Sequence, residues 1–369
     1  MWGKLAYESG QTSPFLSHDW FWCCWHALWP RWRPEILVVE EAGSAVAIIP
    51  LMRWRERVHG LPVRCLGLLE CAATPMVDIL ALGEYGRIIE IVLDHLAARW
   101  DWDTVWLQKL PSTSPTLEAL EGTLPGRLPW RRAGHLLSPC LAIAGEWADF
   151  CGSKKQRFKE TYQQLQEGLE HAGDVSIEEY RAVDPESPLF CEAVGVIRRS
   201  WRADRGRAMA TVPRMTEFLS ELTRRATKNG WLSLWLLRLN GQAIAMEYQL
   251  RTDRKVYTLH ADSDPAYREL SPASALTCAI IRSLFEHGCI QEYNIGLCPN
   301  DDTLQWATGS QERVHLKLYR PALYSRLLHR VEMAAIHGVW KWRGLGESRQ
   351  LAPSSSLGRD GATAGEIRD

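Results

Sequence analysis

The fold is decided by three runs that follow one another: GQAIAMEY (Gly241–Tyr248), VYTLH (Val256–His260) and DPAYRELSPAS (Asp264–Ser274). The first two are apolar and typical of paired strands. The third is a loop that opens directly into a helix, because Pro272 suits a first helical turn. Unpaired N–H groups and the positive end of the helix dipole would then lie at the edge of a sheet. Such a helix start binds phosphate or pyrophosphate with few basic side chains.

Outward from these runs, the second half of the chain alternates predicted helices and strands. Gly288 suits the C′ position of a helix over 271–287. Hydrophobic periodicity predicts the other elements. The helices are expected over 153–171, 185–201, 212–228 and 322–342, and the strands over 175–180, 231–239, 242–251, 255–261, 290–295 and 313–319.

The first half repeats this order on a smaller scale. A hairpin is predicted from 35–41 and 45–53, which Ala42-Gly43-Ser44 joins. Further predictions are an N-capped helix in the Trp-rich run that Ser17 begins, strands over 63–69, 77–82 and 104–110, helices over 85–98 and 114–120, and a linker-like turn region over 125–134. Residues 36–53 look equivalent to 232–251, so we expect a tandem duplication. We expect lobes over 1–140 and 141–321, an amphipathic helix over 322–343 and a disordered tail over 344–369.

Composition excludes several classes of protein. The 369 residues carry a net charge of −1, from 43 basic and 44 acidic side chains, which gives no general nucleic-acid footprint. No apolar run is long enough for a membrane span. Residues 1–14 lack the apolar core of a signal peptide. The ten cysteines are scattered without a CxxC pair, so we expect free thiols in the cytoplasm and no metal site.

Taken together, these motifs resemble the GNAT acyltransferase superfamily, in particular the CelD-like branch (cellulose and exopolysaccharide biosynthesis) related to Fem aminoacyl transferases. The loop matches the D-x-x-Y-x-x-x-S-P pattern of that branch at Asp264, Tyr267, Ser271 and Pro272. Weaker similarities occur in the basic run that follows Trp147 and Phe150, in Ser200-Trp201-Arg202, and in the closing run EYNIG over 292–296. The order of the motifs resembles the family over roughly residues 15 to 320. The GNAT glycine-rich cradle R/Q-x-x-G-x-G/A is absent, and Ser271-Pro272-Ala273-Ser274 stands in its place.

The resemblance implies an α/β fold of two GNAT-like lobes and an N- or O-acyltransferase. Acetyl-CoA or another acyl-CoA would be the co-substrate, with no permanently bound cofactor. The acceptor would be an amine or hydroxyl of a sugar or cell-envelope precursor. No DNA partner is expected. The donor would lie against Arg268, Ser271, Pro272, Ala273 and Ser274, and the candidate substrate-binding residues are Trp201, Tyr257, Asp264 and Asn294.

Four residues are the candidates for proton transfer. Glu247 is the first, since it lies in an otherwise apolar strand and burial would raise its pKa. His260 is the second, because its pKa is ordinarily near neutrality. Tyr257 or Tyr267 would donate to the leaving group.

Simpler readings compete with each of these assignments. Each candidate also has a purely structural alternative. Glu247 would lie on a solvated strand face, His260 would be an ordinary strand-end residue, and Asp264 would cap a turn. Tyr267 and Trp201 would be packing residues, and Ser271 would be an ordinary N-cap. The basic cluster is either a solvated face or a docking site for a phosphorylated or tRNA-like donor; it comprises Lys154, Lys155, Arg157 and Lys159. Two further functions stay open: an aminoacyl transferase that uses aminoacyl-tRNA, and a catalytically silent partner-binding protein of polysaccharide synthesis.

Overall fold

The computed structural model describes residues 1–28, 32–71, 73–154, 156–200, 213–252, 254–296 and 304–343. Strands and helices alternate along most of this length. The strands are β1 (Arg33–Glu41), β2 (Ser44–Val58), β3 (Leu61–Leu68), β4 (Leu80–Ala81), β5 (Thr104–Pro111), β6 (Trp130–Ala142), β7 (Val175–Tyr180), β8 (Leu232–Leu239), β9 (Gln242–Arg251), β10 (Lys255–Ser263), β11 (Glu292–Asn294) and β12 (Gly309–Tyr319). The helices are α1 (Trp2–Glu8), α2 (His18–Cys23), α3 (Tyr85–Ala98), α4 (Pro115–Thr123), α5 (Trp147–Ser153), α6 (Gln156–Ala172), α7 (Pro188–Arg199), α8 (Pro213–Lys228), α9 (Pro272–His287) and α10 (Leu323–Arg343).

The two predicted hairpins, β1–β2 and β8–β9, turn in the same way. Ala42 and Gly43 have φ of 49° and 76°, and Asn240 and Gly241 have φ of 51° and 80°. Two consecutive residues with positive φ form the tight turn whose twist matches that of an antiparallel strand pair. Each hairpin leads to a parallel crossover, β3–α3–β5 in the first half and β10–α9–β11 in the second. The expected duplication of the fold is therefore visible in the order of the elements.

All the strands join one mixed sheet, and the two halves exchange their last strands within it. The order is β1-β2-β3-β5-β12-β6-β11-β10-β9-β8-β7, with β4 paired to β2. Strand β6 leaves the first half and pairs with β11, whereas β12 returns from the second half and pairs with β5. The two exchanged strands pair antiparallel with each other in the middle of the sheet. The prediction of mixed α/β sheets flanked by helices is confirmed.

Helices cover both sides of the sheet in the second half, and the two sides are named here by their helices. On the α9 face, Ala245 and Tyr293 pack with α9 residues such as Leu276 and Ile280. On the α7 face, Tyr248 packs with side chains of α7 and α8. In the first half, α3 and α4 cover a separate apolar core. Candidate residues can contact each other only where their side chains lie on the same face of the sheet.

Three local predictions are wrong. The region predicted as a linker-like turn, 125–134, includes the start of β6 at Trp130, which pairs with Leu318 of the exchanged strand β12. Of the predicted strand 77–82, only Leu80–Ala81 forms a β-strand, paired to β2, while Val77 and Leu82 make single backbone hydrogen bonds to Lys109 and Val46. The helix predicted from Ser153 begins at Gln156, after a separate short helix, α5. The predicted tail, 344–369, lies outside the described residues.

Candidate active site

A notch opens between the parallel strands β10 and β11. They pair only from Lys255 to Tyr257, with the last pair formed by Tyr257 and Asn294. Beyond it, β10 stays with β9, and β11 continues beside β6, where the N–H of Ile295 donates to the carbonyl of Pro139 at 3.1 Å. The two strands therefore diverge just before His260, at the edge where the sequence predicts ligand binding.

A β-bulge lies at this divergence. The register of β10 on β9 shifts between Thr258, which pairs with Gln249, and His260, which pairs with Tyr248. A bulge re-aims the side chains that follow it and leaves one backbone group out of the ladder. Thr258 accordingly lies on the α9 face beside Glu247, whereas His260 shares the α7 face with Tyr248. The two candidate bases are thus on opposite faces of the sheet.

Glu247 is buried on the α9 face, with 1% exposure, rather than solvated. Its Oε1 accepts hydrogen bonds from the Tyr293 hydroxyl at 2.6 Å, the Thr258 hydroxyl at 2.7 Å and the Gln249 amide at 2.8 Å. The hydroxyl of Thr277, on α9, lies 3.5 Å from Oε2. Burial and the adjoining Glu247 carboxylate raise the pKa of Tyr293 well above its usual range, so the phenol remains a donor. Polar groups rather than a cation therefore satisfy this carboxylate among the described residues.

His260 and Asp262 form a buried pair on the α7 face. Nε2 of His260 lies 2.6 Å from Oδ2 of Asp262, and the side chains are 7% and 2% exposed. A carboxylate at one ring nitrogen holds the imidazole in a fixed orientation and leaves the other nitrogen for proton transfer. This arrangement suits a general base.

Asp264 anchors the loop that leads to α9. Its Oδ1 accepts from the N–H of Ala266 at 3.0 Å, and its Oδ2 accepts from Nε of Arg199 at 2.7 Å. Arg199 also donates to the carbonyl of Ala243 at 2.9 Å. Asp264 thus caps the 3₁₀ turn Pro265–Leu270, as one of the structural alternatives supposed, and ties it to the end of α7. Its predicted contact with substrate stays a prediction.

The start of α9 follows directly on the loop that Asp264 anchors. Ser271 adopts the left-handed conformation, with φ of 46°, and its side chain caps no N–H group within the described structure. Pro272 is buried, Ala273 and Ser274 are half-buried, and Arg268 is exposed in the preceding turn. Free N–H groups at a helix start attract an anion because the helix dipole adds to their partial charges. Binding of a donor at this point stays a prediction.

The other candidate residues lie around the notch or outside the described ranges. Tyr267 contacts Oε1 of Gln242 through its hydroxyl at 3.3 Å. Tyr257 is buried on the α7 face, edge-to-face with Phe15, and burial raises its pKa to about 12. Asn294 is buried and donates to the Ser138 hydroxyl at 2.9 Å. Trp201 lies outside the described residues.

The basic run before α6 is described only in part. Lys155 lies outside the described residues, and nothing in the described structure bears on the side chains of Arg157 and Lys159. Lys154 donates to the carbonyl of Gln305 at 2.9 Å and lies over the Phe150 ring. At least this lysine is therefore engaged within the protein.

The equivalent notch of the first half, between β3 and β5, is filled by its own chain. The N–H of Val77 donates to the carbonyl of Lys109 at 3.1 Å, so the segment after β3 pairs with β5. The Lys109 ammonium donates to the carbonyl of Cys71 at 3.1 Å and pairs with Glu70 at 2.8 Å. Within the described residues, the two halves therefore differ at this position of the sheet.

Four residues of this region were not predicted from the sequence. Asp262 was detectable, because residues two apart on a strand share a face, so an H-x-D run predicts a histidine–carboxylate pair. The missed contacts of Arg199, Tyr293 and Thr258 connect elements that are distant in sequence. No local pattern indicates such contacts.

Comparison with known proteins agrees with this geometry. Residues 156–302 match the family model described as "Acetyltransferase (GNAT) domain". This match covers β8–β11 and α9, which surround the open notch. None of the curated proteins searched matches the chain.

Several solved structures share the fold of nearly the whole chain. FemX has a TM-score of 0.55 at 10% identity, over 89% of this chain and 97% of its own. The C-terminal domain of a putative lysylphosphatidylglycerol synthetase from Agrobacterium fabrum has a TM-score of 0.53 at 13% identity, over 88% and 94%. L-PGS from Bacillus licheniformis has a TM-score of 0.51 at 12% identity, over 89% and 95%. At such identities the likeness shows the fold alone. The chain therefore has a GNAT-like α/β fold, and its residues 156–302 are similar to the GNAT acetyltransferase family.

Proposed function

We propose that the protein transfers an acyl group from acyl-CoA, acetyl-CoA in the first instance, to an amine or hydroxyl group of a sugar or cell-envelope precursor. The observation that carries this proposal is the notch between β10 and β11, which opens beside an uncapped helix start. The first half has the same strands but fills its notch with the segment that pairs Val77 to Lys109. One donor per chain, bound in the second half, follows from this difference.

The donor pyrophosphate would bind at the start of α9. The N–H groups of Ala273 and Ser274 would donate to it, and Arg268 would add a positive charge. The left-handed Ser271 and buried Pro272 fix the direction in which these N–H groups point. The pantetheine arm would then pass through the notch, so that the thioester reaches the α7 face.

The reaction requires a base and a donor to the developing oxyanion. His260 fits the first role, since Asp262 orients its ring and its strand edge faces the notch. The acceptor nitrogen or oxygen would attack the thioester carbonyl and lose a proton to His260. The thiolate of CoA would leave when the tetrahedral intermediate collapses. A backbone N–H released from the ladder by the bulge at Leu259 would stabilise the oxyanion.

Glu247 fits the role of base less well than His260. Three donors lie within 2.8 Å of its Oε1, so this oxygen is already occupied by hydrogen bonds within the protein. Its face is also that of α9, on which the donor would enter. We therefore assign Glu247 to holding β9, β10, β11 and α9 in register, and Tyr267 to the edge of the donor site.

An aminoacyl ester is the second candidate donor. One structural neighbour is named as a putative lysylphosphatidylglycerol synthetase, a second as L-PGS and a third as FemX. The attack on the carbonyl and the demand for a base are the same for this donor, but a tRNA would need a basic surface. The net charge of −1 does not by itself provide one.

The leading acyl-CoA function includes assignment of the chain to the CelD-like branch, and hence to cellulose or exopolysaccharide synthesis.

Turnover of the thioester tests the leading function. The protein is incubated with acetyl-CoA and a panel of amino sugars and sugar alcohols, and release of the CoA thiol is followed. Substitution His260→Gln should lower the rate by about two orders of magnitude or more. His287→Gln, at the exposed end of α9, is the matched control and should leave the rate unchanged. Consumption of aminoacyl-tRNA without thiol release would replace the leading function by the second candidate.

A further inference from the structure

The outer side of α10 is an unpartnered surface of mixed apolar and basic character within the described structure. Leu323 is 87% exposed and Leu327, one turn later, is 53% exposed. Arg326, Arg330 and Ala334 are exposed on the same side. At 100° per residue these five positions lie within about 100° of arc. We call them the α10 stripe.

The inner side of α10 fixes the helix to the sheet and uses its acidic residue. Leu328 packs on Val63 and Cys65, and the hydroxyl of Tyr324 donates to the carbonyl of Pro62 at 2.6 Å. Glu332 is 4% exposed and accepts from Lys317 at 2.5 Å. The stripe therefore faces outward on a helix that is fixed to the sheet, and the one carboxylate of the helix lies on the opposite side.

The sequence of the helix continues this character to its end. Glu332 is the only Asp or Glu between residues 323 and 343, whereas Arg326, Arg330, Lys341 and Arg343 are basic. Trp340 and Trp342 alternate with the last two basic residues. Amphipathic helices that lie on anionic bilayers combine apolar side chains, cationic side chains and interfacial Trp in this way.

We propose that the α10 stripe docks the protein on an anionic phospholipid surface. Leu323 and Leu327 would enter the boundary between headgroups and acyl chains, and Arg326 and Arg330 would pair with lipid phosphates. The helix would lie on the surface, not across it: no helix in the described part of the chain is long and apolar enough to cross a membrane. This proposal is independent of the transferase reaction.

The test is sedimentation of the full chain with vesicles. Vesicles of phosphatidylcholine alone are compared with vesicles in which roughly a third of the lipid is phosphatidylglycerol. We expect binding to the anionic vesicles only, weakened by salt. The double variant Arg326→Gln/Arg330→Gln should bind them roughly thirtyfold more weakly, since each basic residue near the surface contributes about fivefold.

Two further variants make the test specific. Leu323→Ser/Leu327→Ser should also weaken binding, by roughly tenfold or more. The control Arg87→Gln/Arg254→Gln removes the same charge at exposed positions away from α10 and should bind as the wild type does. Unchanged thermal unfolding midpoints would show that the variants are folded. Absence of binding, equal binding to both kinds of vesicle, equal loss in the control, or a dimer that only the stripe variants dissociate would each overturn the proposal.

Discussion

The hydroxyl of Tyr293, on β11, donates to the carboxylate of Glu247, on β9, at 2.6 Å across the intervening strand β10. Thr258 supplies a second hydrogen bond from β10 itself. This contact joins three neighbouring strands beneath α9, immediately before β10 and β11 diverge. The notch is therefore bounded by a buried polar cluster.

Removal of the Tyr293 hydroxyl tests the structural role of that cluster. Tyr293→Phe leaves a buried carboxylate one donor short, which should lower the free energy of unfolding by about 1–3 kcal/mol. Urea unfolding measures the change. Tyr267→Phe, which removes a 3.3 Å contact from a half-buried side chain, is the control and should cost less than about 0.5 kcal/mol. Equal stability of the two variants would contradict the assignment of Glu247 to stabilising the notch.

The pair His260 and Asp262 predicts a specific pattern of activity loss. Asp262→Asn keeps the size of the side chain but replaces the carboxylate beside Nε2 of His260 by a neutral amide. The rate of acyl transfer should fall by roughly one to two orders of magnitude, with a smaller effect on binding of the donor. Steady-state kinetics with varied acetyl-CoA separates the two effects. A higher KM for the donor with an unchanged kcat would place Asp262 in binding instead.

The buried pair Lys317 and Glu332 should be worth far more than a surface pair. Their side chains are 2% and 5% exposed, so Glu332→Ala leaves an unpaired ammonium in the interior. We expect a loss of about 3–5 kcal/mol in the free energy of unfolding. Glu286→Ala breaks the exposed pair with Arg282 and should cost about 0–1 kcal/mol. Chemical denaturation of both variants checks the contrast.

His315 predicts a loss of stability in acid. Burial lowers the pKa of this histidine to about 4, with Lys109 nearby as a second cause, whereas the unfolded chain takes up the proton at about 6.5. The unfolded state therefore binds more protons between these values, and the contribution to stability that is present above about pH 6.5 is lost as the pH falls toward 4. His315→Gln should flatten the decline in the free energy of unfolding over this range. His59→Gln, at an exposed turn, should leave the decline unchanged.

Local chemistry predicted much of the fold and part of the site. The hairpin turns at Gly43 and Gly241, the helix over 272–287 and the loop from Asp264 are encoded by short-range preferences of Gly, Pro and Asp. The exchange of β6 and β12 was not predictable in this way, because each pairs with strands far away in sequence. The face of the sheet on which His260 lies could not be predicted either, because it depends on the bulge at Leu259 and hence on the register of β10 with β9.

The most direct test of the account is calorimetric titration of CoA and acetyl-CoA into the wild type, Ser274→Glu and Gly86→Glu. Ser274→Glu places a carboxylate in the first turn of α9, and Gly86→Glu places one in the first turn of α3, where no atom lies within 4 Å of the added Cβ. We expect one site per chain, with binding abolished by Ser274→Glu and unchanged by Gly86→Glu. Binding that survives Ser274→Glu, or that Gly86→Glu abolishes, would contradict a donor site at the start of α9.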